Sequence, residues 1–173
     1  MAQSIEDRLR AVEDRLEILN LIASHPPSAD TGADYATRTF YVDDGEMDLG
    51  GGKGARGNAA IAAGQVSPGH QAAIAGGLAH IAGLPRIELD GDTAVVTSYL
   101  QILHPHPTAA PHELPNHGVS KGYRVHRVGA NRWELVRTPS GWKIKRRTLR
   151  SLDGTEPARE ILRQGLKAFA PSA

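Results

Sequence analysis

The sequence predicts an α+β fold, with helices packed on one face of a curved sheet. Two observations predict it. Segments of helical period or Ala-rich composition fill the chain up to residue 74, and from residue 78 onward alternating apolar and polar stretches, separated by tight-turn signals, read as a meander of antiparallel strands. A sheet curled round a helical layer leaves a concave, mostly apolar cavity suited to small organic ligands.

The elements follow in order. Ser4 followed by Ile5, Glu6 and Asp7 is a capping-box-like start, and Leu9, Val12, Leu16 and Leu19 recur at helical spacing, with Ile18 and Ile22 broadening the stripe. A first helix is expected over residues 5 to 24. His25, Pro26 and Pro27 should end it, because proline offers no N–H and pushes its predecessor out of the α region. A turn over residues 28 to 32 leads to a short helix at 34 to 42, which Asp43, Asp44 and Gly45 break before a short strand at 46 to 49. The Gly-rich segment 50 to 57 reads as flexible punctuation, and residues 58 to 64 and 70 to 74 as short helices.

Strands are expected at 78 to 83, at 87 to 89 and at 93 to 104, the last two joined as a hairpin through Asp90, Gly91 and Asp92. Ala94, Val96, Ser98, Leu100, Ile102 and His104 share one face of the long strand. Residues 105 to 118 read as a Pro-rich loop. Three further strands are expected at 120 to 128, 133 to 139 and 141 to 152, with turns at 129 to 132 and 139 to 141, and a closing helix at 156 to 169.

Composition narrows the function. At 173 residues, 40% hydrophobic, the chain is expected to form one globular domain over 1 to 173. No apolar run approaches the roughly 18 to 20 residues that cross a bilayer, and no secretory pattern opens the chain, so a cytoplasmic location without membrane contact is expected. The absence of cysteine excludes disulfides, thiolate metal sites and a Cys nucleophile. Residues 121 to 150 hold ten of the 20 Lys and Arg against one acid, Glu134. Strand alternation divides them between two faces, and with a net charge of +1 no nucleic-acid partner is expected.

Gly52, Gly54 and Gly57 satisfy G-x-G-x-x-G, but no acid ends a second strand downstream and Gly54 follows Lys53 where a P-loop needs Ser or Thr, so no nucleotide cradle is expected. His104, His106, His112, His117 and Glu113 cluster around the Pro-rich loop. A loop lacks the rigid placement that metal ligands need, so neither metal nor other cofactor is expected. No G-x-S-x-G elbow is present. His80 lies in a strand with no other polar side chain, where an imidazole lining a cavity can act as general base or acid. Asp30, Asp43 and Asp44 are its candidate carboxylate partners by order of elements. Tyr35, Tyr41, Tyr99 and Tyr123 are candidate hydroxyl donors to a substrate, as are His104 and His117 as binding groups.

Several segments, in order, resemble the SnoaL-like branch of the NTF2-like superfamily. They are Ile5-Glu-Asp-Arg, Ala29 through Tyr35 with Phe40 and Asp43-Asp-Gly45, Gly57 to Ile61, His80 with Ile87 to Ala94, Asn131 to Arg137 and Gly141 to Arg147, over about residues 5 to 160. The resemblance implies a cone-shaped α+β barrel, a strongly bent, mostly antiparallel sheet wrapped round N-terminal helices, in homodimers or homotrimers. Polyketide cyclases, scytalone dehydratase, ketosteroid isomerase and cofactor-free lyases of aromatic compounds share it. It further implies His80 as the strand histidine and Asp30 as the helix-mouth aspartate of the dehydratase-type members. Leu84 stands where many relatives have Asn, and Ala29 where the dehydratase has Tyr.

The expected function is therefore a cofactor-independent lyase, dehydratase or isomerase acting by general acid/base catalysis on a hydrophobic, aromatic or polyketide-like molecule, with a bell-shaped pH dependence. The alternative is a non-catalytic binder or structural subunit resembling the small subunit of ring-hydroxylating dioxygenases.

Overall fold

The computed structural model describes residues 4–170, so the outermost residues of the expected 1 to 173 domain lie outside the described residues. The chain opens with helix α1 (Ile5–Ala23), whose N-terminus carries the expected capping box: the Asp7 N–H donates to Ser4 Oγ at 3.0 Å and the Ser4 N–H to Asp7 Oδ2 at 3.4 Å. Of the expected stripe only its Ile18 and Ile22 edge is buried. Asp14, Ile18 and Ile22 point into the core, whereas Ile5, Leu9, Val12, Leu16 and Leu19 are 37 to 76% exposed. The helix presents two apolar lines, and the one shared with Ile18 and Ile22 meets the sheet.

His25, Pro26 and Pro27 do end α1, but they also start a new helix, α2 (His25–Thr31), where a turn was expected. Proline's missing N–H costs nothing in a first helical turn, because no acceptor precedes it there. Gly32 closes α2 at φ +66°, donating its N–H to Ser28 O; a Cβ there would meet Gln71 Nε2 at 2.3 Å. Helix α3 (Asp34–Phe40) follows, tied to α2 by the buried Ser28 and Thr37 hydroxyls at 2.6 Å.

Strand β1 (Tyr41–Gly50) begins five residues before the expected strand: Asp43-Asp44-Gly45 forms an irregularity inside it and does not break it. The Gly-rich segment is likewise paired, as β2 (Lys53–Arg56) returning antiparallel along β1. Helices α4 (Asn58–Gln65) and α5 (Pro68–Ala75) then lead to β3 (Ala79–Ala82), β4 (Arg86–Asp90) and β5 (Thr93–Pro105). The expected loop holds a small hairpin, β6 (His112–Leu114) with β7 (Gly118–Ser120). Two expected strands are one, β8 (Tyr123–Thr138), because Gly129 to Arg132 is paired on both sides, with β5 and with β9 (Gly141–Ser151). Pairing overrides local turn preference there. Helix α6 (Glu156–Gln164) and a 3₁₀ turn (Lys167–Phe169) occupy the expected closing helix.

The main sheet runs β2-β1-β9-β8-β5-β3, with β4 beside β3 on the same edge of β5. All its pairings are antiparallel except β1 with β9. It is bent and wraps the N-terminal helices, but it stays open and does not close into a barrel. Ala94, Val96, Ser98 and Leu100 line the inner face of β5 as expected. Ile18, Ile22, Tyr41, Ile61, Val96, Trp133, Leu135, Trp142 and Ile144 make the core between helices and sheet. A smaller cluster of Ala130, Ala158 and Ile161 seats α6 on the outer face. The basic block of β8 and β9 is broken into separate pairs: Arg132 with Glu134, Arg137 with Asp14 and Asp92, Lys145 with Asp44, Arg146 with Glu46, Arg150 with Asp48. Among the described residues no helix is long and apolar enough to cross a membrane.

Candidate active site

A cavity of about 420 Å³ lies between α2, α4 and α5 and the inner face of β3, β5, β8 and β9. Its apolar wall comes from Ala29, Met47, Leu49, Ile61, Leu78, Leu100, Ile102 and Leu149. It is more polar than expected, because His25, Gln65, His70, His80, His126, Arg127 and Arg147 also line it.

His80 and Asp30 meet at this cavity. Asp30 stands on the last turn of α2 and His80 in β3, 50 residues later. The His80 ring Nδ1–H donates to Asp30 Oδ1 at 2.5 Å, and the His80 backbone N–H donates to Asp30 Oδ2 at 2.8 Å. One carboxylate thus holds both ends of one residue. Because an ionised carboxylate only accepts, the proton sits on Nδ1, and Nε2 keeps its lone pair with no protein partner among the described residues. The two side chains are 10% and 24% exposed. Burial pushes the His80 pKa below its ordinary 6.5, against the pull of Asp30 and with the push of Arg147 and His70, so the ring is neutral near pH 7.

Three groups around the pair were not singled out in the sequence. His25, read there as a helix terminator, is buried; its Nε2 accepts from Arg147 Nη1 at 2.7 Å, and its ring stands edge-on to Trp133 at 5.2 Å. Burial, then the Arg147 charge, hold its pKa well below 6.5. Arg147 lies inside because Lys145 is an extra residue in β9: Glu134 pairs with Arg146 and Leu135 with Ile144, so side chains beyond it change faces. Unbroken alternation from Trp142 and Ile144 would have turned Arg146 inward. His70 donates from Nε2 to Ala29 O at 2.7 Å, a contact across 41 residues with no sequence signal.

The other candidates lie elsewhere. Tyr41 is in the core, its hydroxyl without a hydrogen-bond partner and its pKa raised to about 12 by burial. Tyr35 and Tyr123 are exposed, and Tyr99 faces outward beside Leu84, Leu162 and Leu166 at a second cavity of about 170 Å³. His104 lies against Gly76, bonded to Pro105 O at 3.0 Å, and His117 is exposed in the β6–β7 turn; neither lines the main cavity. Asp43 accepts from Asn58 and Asp44 from Lys145, away from His80. Among the described residues no three His, Asp or Glu side chains converge as metal ligands.

The neutral buried histidines carry a stability consequence. Unfolded, each ring binds a proton near pH 6.5; folded, His25 and His80 bind it only at lower pH. Between those values the unfolded state holds more protons, so stability is full above pH 6.5 and falls as pH drops. Thermal unfolding should show the midpoint falling from pH 7 to 5. His25→Gln, which keeps an acceptor for Arg147 but cannot titrate, should flatten that slope; an unchanged slope would show that His25 is protonated when folded.

An open, bent sheet wrapped on N-terminal helices, with an inner pocket lined by a strand histidine that a helix aspartate holds through its ring and backbone N–H, defines the cone fold of NTF2-like proteins. Residues 10–148 match the SnoaL-like domain, and the chain belongs to the SnoaL-like family of that superfamily. It is similar to an NTF2-like protein with a cystatin-like fold from Novosphingobium aromaticivorans: 39% identity, 91% of this chain and 94% of that chain covered, TM-score 0.80. A scytalone dehydratase-like protein from the same organism shares the fold at 19% identity and TM-score 0.62, covering 86% and 88% of the two chains. So does an aromatic ring hydroxylase-like protein, also from that organism, at 24% identity and TM-score 0.60, covering 82% and 90%. No curated protein matches the chain.

Proposed function

We propose that this protein is a cofactor-independent lyase, dehydratase or isomerase that moves a proton on a hydrophobic, aromatic or polyketide-like small molecule. The observation that carries the reading is the double hold of Asp30 on His80, with Nδ1–H and backbone N–H both donating to one carboxylate at 2.5 and 2.8 Å. That hold fixes the tautomer in which Nε2 is a free base, and the depressed pKa keeps the base unprotonated at neutral pH. Nε2 takes a proton from substrate, Asp30 steadies the imidazolium so formed, and the same nitrogen returns the proton to another position or to a leaving group. A scytalone dehydratase-like neighbour supports the reaction class, and the apolar wall supports the substrate class. The test is deuterium exchange: apolar carbonyl and phenolic compounds incubated with the protein in D₂O should gain deuterium at acidic C–H positions, as read by NMR. Absence of exchange or turnover across such a panel, with a ligand still bound, would favour the binder.

We propose in addition that the chain forms a homo-oligomer through α1. Ile5, Leu9, Val12, Leu16 and Leu19 alternate at spacings of four and three on the exposed face of α1, the seam of a two-stranded coiled coil. Arg8 and Glu13 flank that seam, exposed and in no ion pair within the described chain, and are placed to pair with Glu13 and Arg8 of a second, parallel copy. Leu16→Glu should reduce the native mass to that of the monomer; an unchanged mass puts any assembly on another face.

A further inference from the structure

The charged lining of the main cavity is one-sided. Two guanidiniums, Arg127 and Arg147, and four imidazoles face it, and no Asp or Glu is among its lining residues, because Asp30 stands behind His80. Arg147 is 4% exposed, yet it forms no ion pair with any described residue. Its Nε donates to Asn131 Oδ1 at 3.1 Å, its Nη1 donates to neutral His25 at 2.7 Å, and its plane lies 4.5 Å over the Trp133 ring. Its Nη2 makes no well-formed hydrogen bond among the described residues; the neutral Tyr41 hydroxyl lies close enough to feel the guanidinium but supplies no counter-charge. Burying a guanidinium without a counter-ion is strongly unfavourable, and neutral acceptors with an aromatic face recover only part of the lost hydration. A ligand anion would recover the rest.

We propose that Arg147 forms an anion subsite in the cavity wall, which takes the carboxylate or phenolate oxygen of an otherwise apolar organic molecule. The inference rests on reading this cavity as the substrate site, and it adds the charge that the substrate carries. Asn131 and His25 are positioning residues: they fix the guanidinium through Nε and Nη1 and leave Nη2 for the ligand. The molecule's body packs on Met47, Leu49, Ile61, Leu100 and Leu149, and its ionised oxygen meets Arg147. His80 lines the same cavity, so negative charge that develops on a conjugated substrate as Nε2 removes a proton is delocalised toward a fixed cation.

The experiment is calorimetric titration of the full chain with two matched pairs, 2-naphthoate against 2-naphthamide and 4-nitrophenolate against 4-nitroanisole. The wild-type protein should bind at least one anion about tenfold more tightly than its neutral partner. A preference in the first pair alone names a carboxylate, and one in the second names a phenolate. Arg147→Gln should abolish the preference, and Arg147→Lys, which keeps the charge, should retain part of it. Equal affinity within both pairs for the wild-type protein overturns the proposal without any variant. A preference that survives in Arg147→Gln and vanishes in Arg127→Gln overturns it as well, by placing the anion on Arg127. His80→Ala should keep the preference, so failure of the catalytic reading and failure of this subsite are separate results.

Discussion

Replacing His80 with alanine should lower turnover at least tenfold, and by about 10² to 10⁴-fold if proton transfer limits the rate, since that is the usual contribution of a positioned general base. The loss should fall on kcat more than on KM, because the cavity keeps its apolar wall and Arg147. Asp30→Asn is the sharper variant. The amide can accept from the backbone N–H of His80 or from the ring, but it carries no charge to steady an imidazolium and can turn its NH₂ toward Nδ1, which selects the wrong tautomer. Turnover should fall about 10²-fold or more with the thermal midpoint little changed. Turnover by the wild-type protein that neither variant lowers would remove the pair from the chemistry. The pH profile of kcat/KM should rise with an inflection below 6.5, the direction in which burial moves His80.

The largest loss of stability is expected at Asp14. This carboxylate, 7% exposed, accepts from Arg137 Nη1 at 2.6 Å and Nη2 at 2.5 Å and from Trp142 Nε1 at 3.0 Å, and so fastens α1 to β8 and β9. The Arg137 hydrogen bonds hold its pKa below the usual 3.8 in spite of burial. Asp14→Ala leaves the Trp142 indole N–H without a partner and the guanidinium with only the exposed Asp92, which should cost about 3 kcal/mol, as breaking a buried pair does. Asp14→Asn, which keeps one acceptor, should cost less. Denaturant unfolding checks both; equal stability of wild type and Asp14→Ala would show that Ile18, Ile22 and the Glu17 bond to the Trp142 backbone N–H hold α1 without Asp14.

Asp14 also shows where the sequence was hard to read. The strongest apolar stripe of the first helix, Leu9 to Leu19, faces outward, while the core face carries an aspartate that looks like a surface residue until Arg137 and Trp142 arrive from 123 and 128 residues away. The strand meander and the inner face of β5 were legible because alternation depends only on neighbours. The single long β8 was not, since Gly129 to Arg132 reads locally as a turn and is straightened only by strands on both sides. The Asp30 and His80 pairing was legible through the resemblance, which places the two residues at a helix mouth and a strand. Arg147 was hidden by the bulge at Lys145, which reverses the parity of every later side chain in β9. His25 carried a readable signal, since two prolines in succession suit a helix start as well as a helix end.

The chemistry turns on whether Asp30 holds the proton of His80 on Nδ1 and leaves Nε2 a free base. Nitrogen-15 NMR of the imidazole rings, with His80 assigned by difference from His80→Ala, reads this directly and needs no substrate. At pH 7 the ring should be neutral and protonated at Nδ1, with a hydrogen-bonded Nδ1–H that Asp30→Asn weakens, and should titrate with a midpoint below 6.5. A ring protonated at Nε2, or an imidazolium persisting at pH 7, would contradict that arrangement.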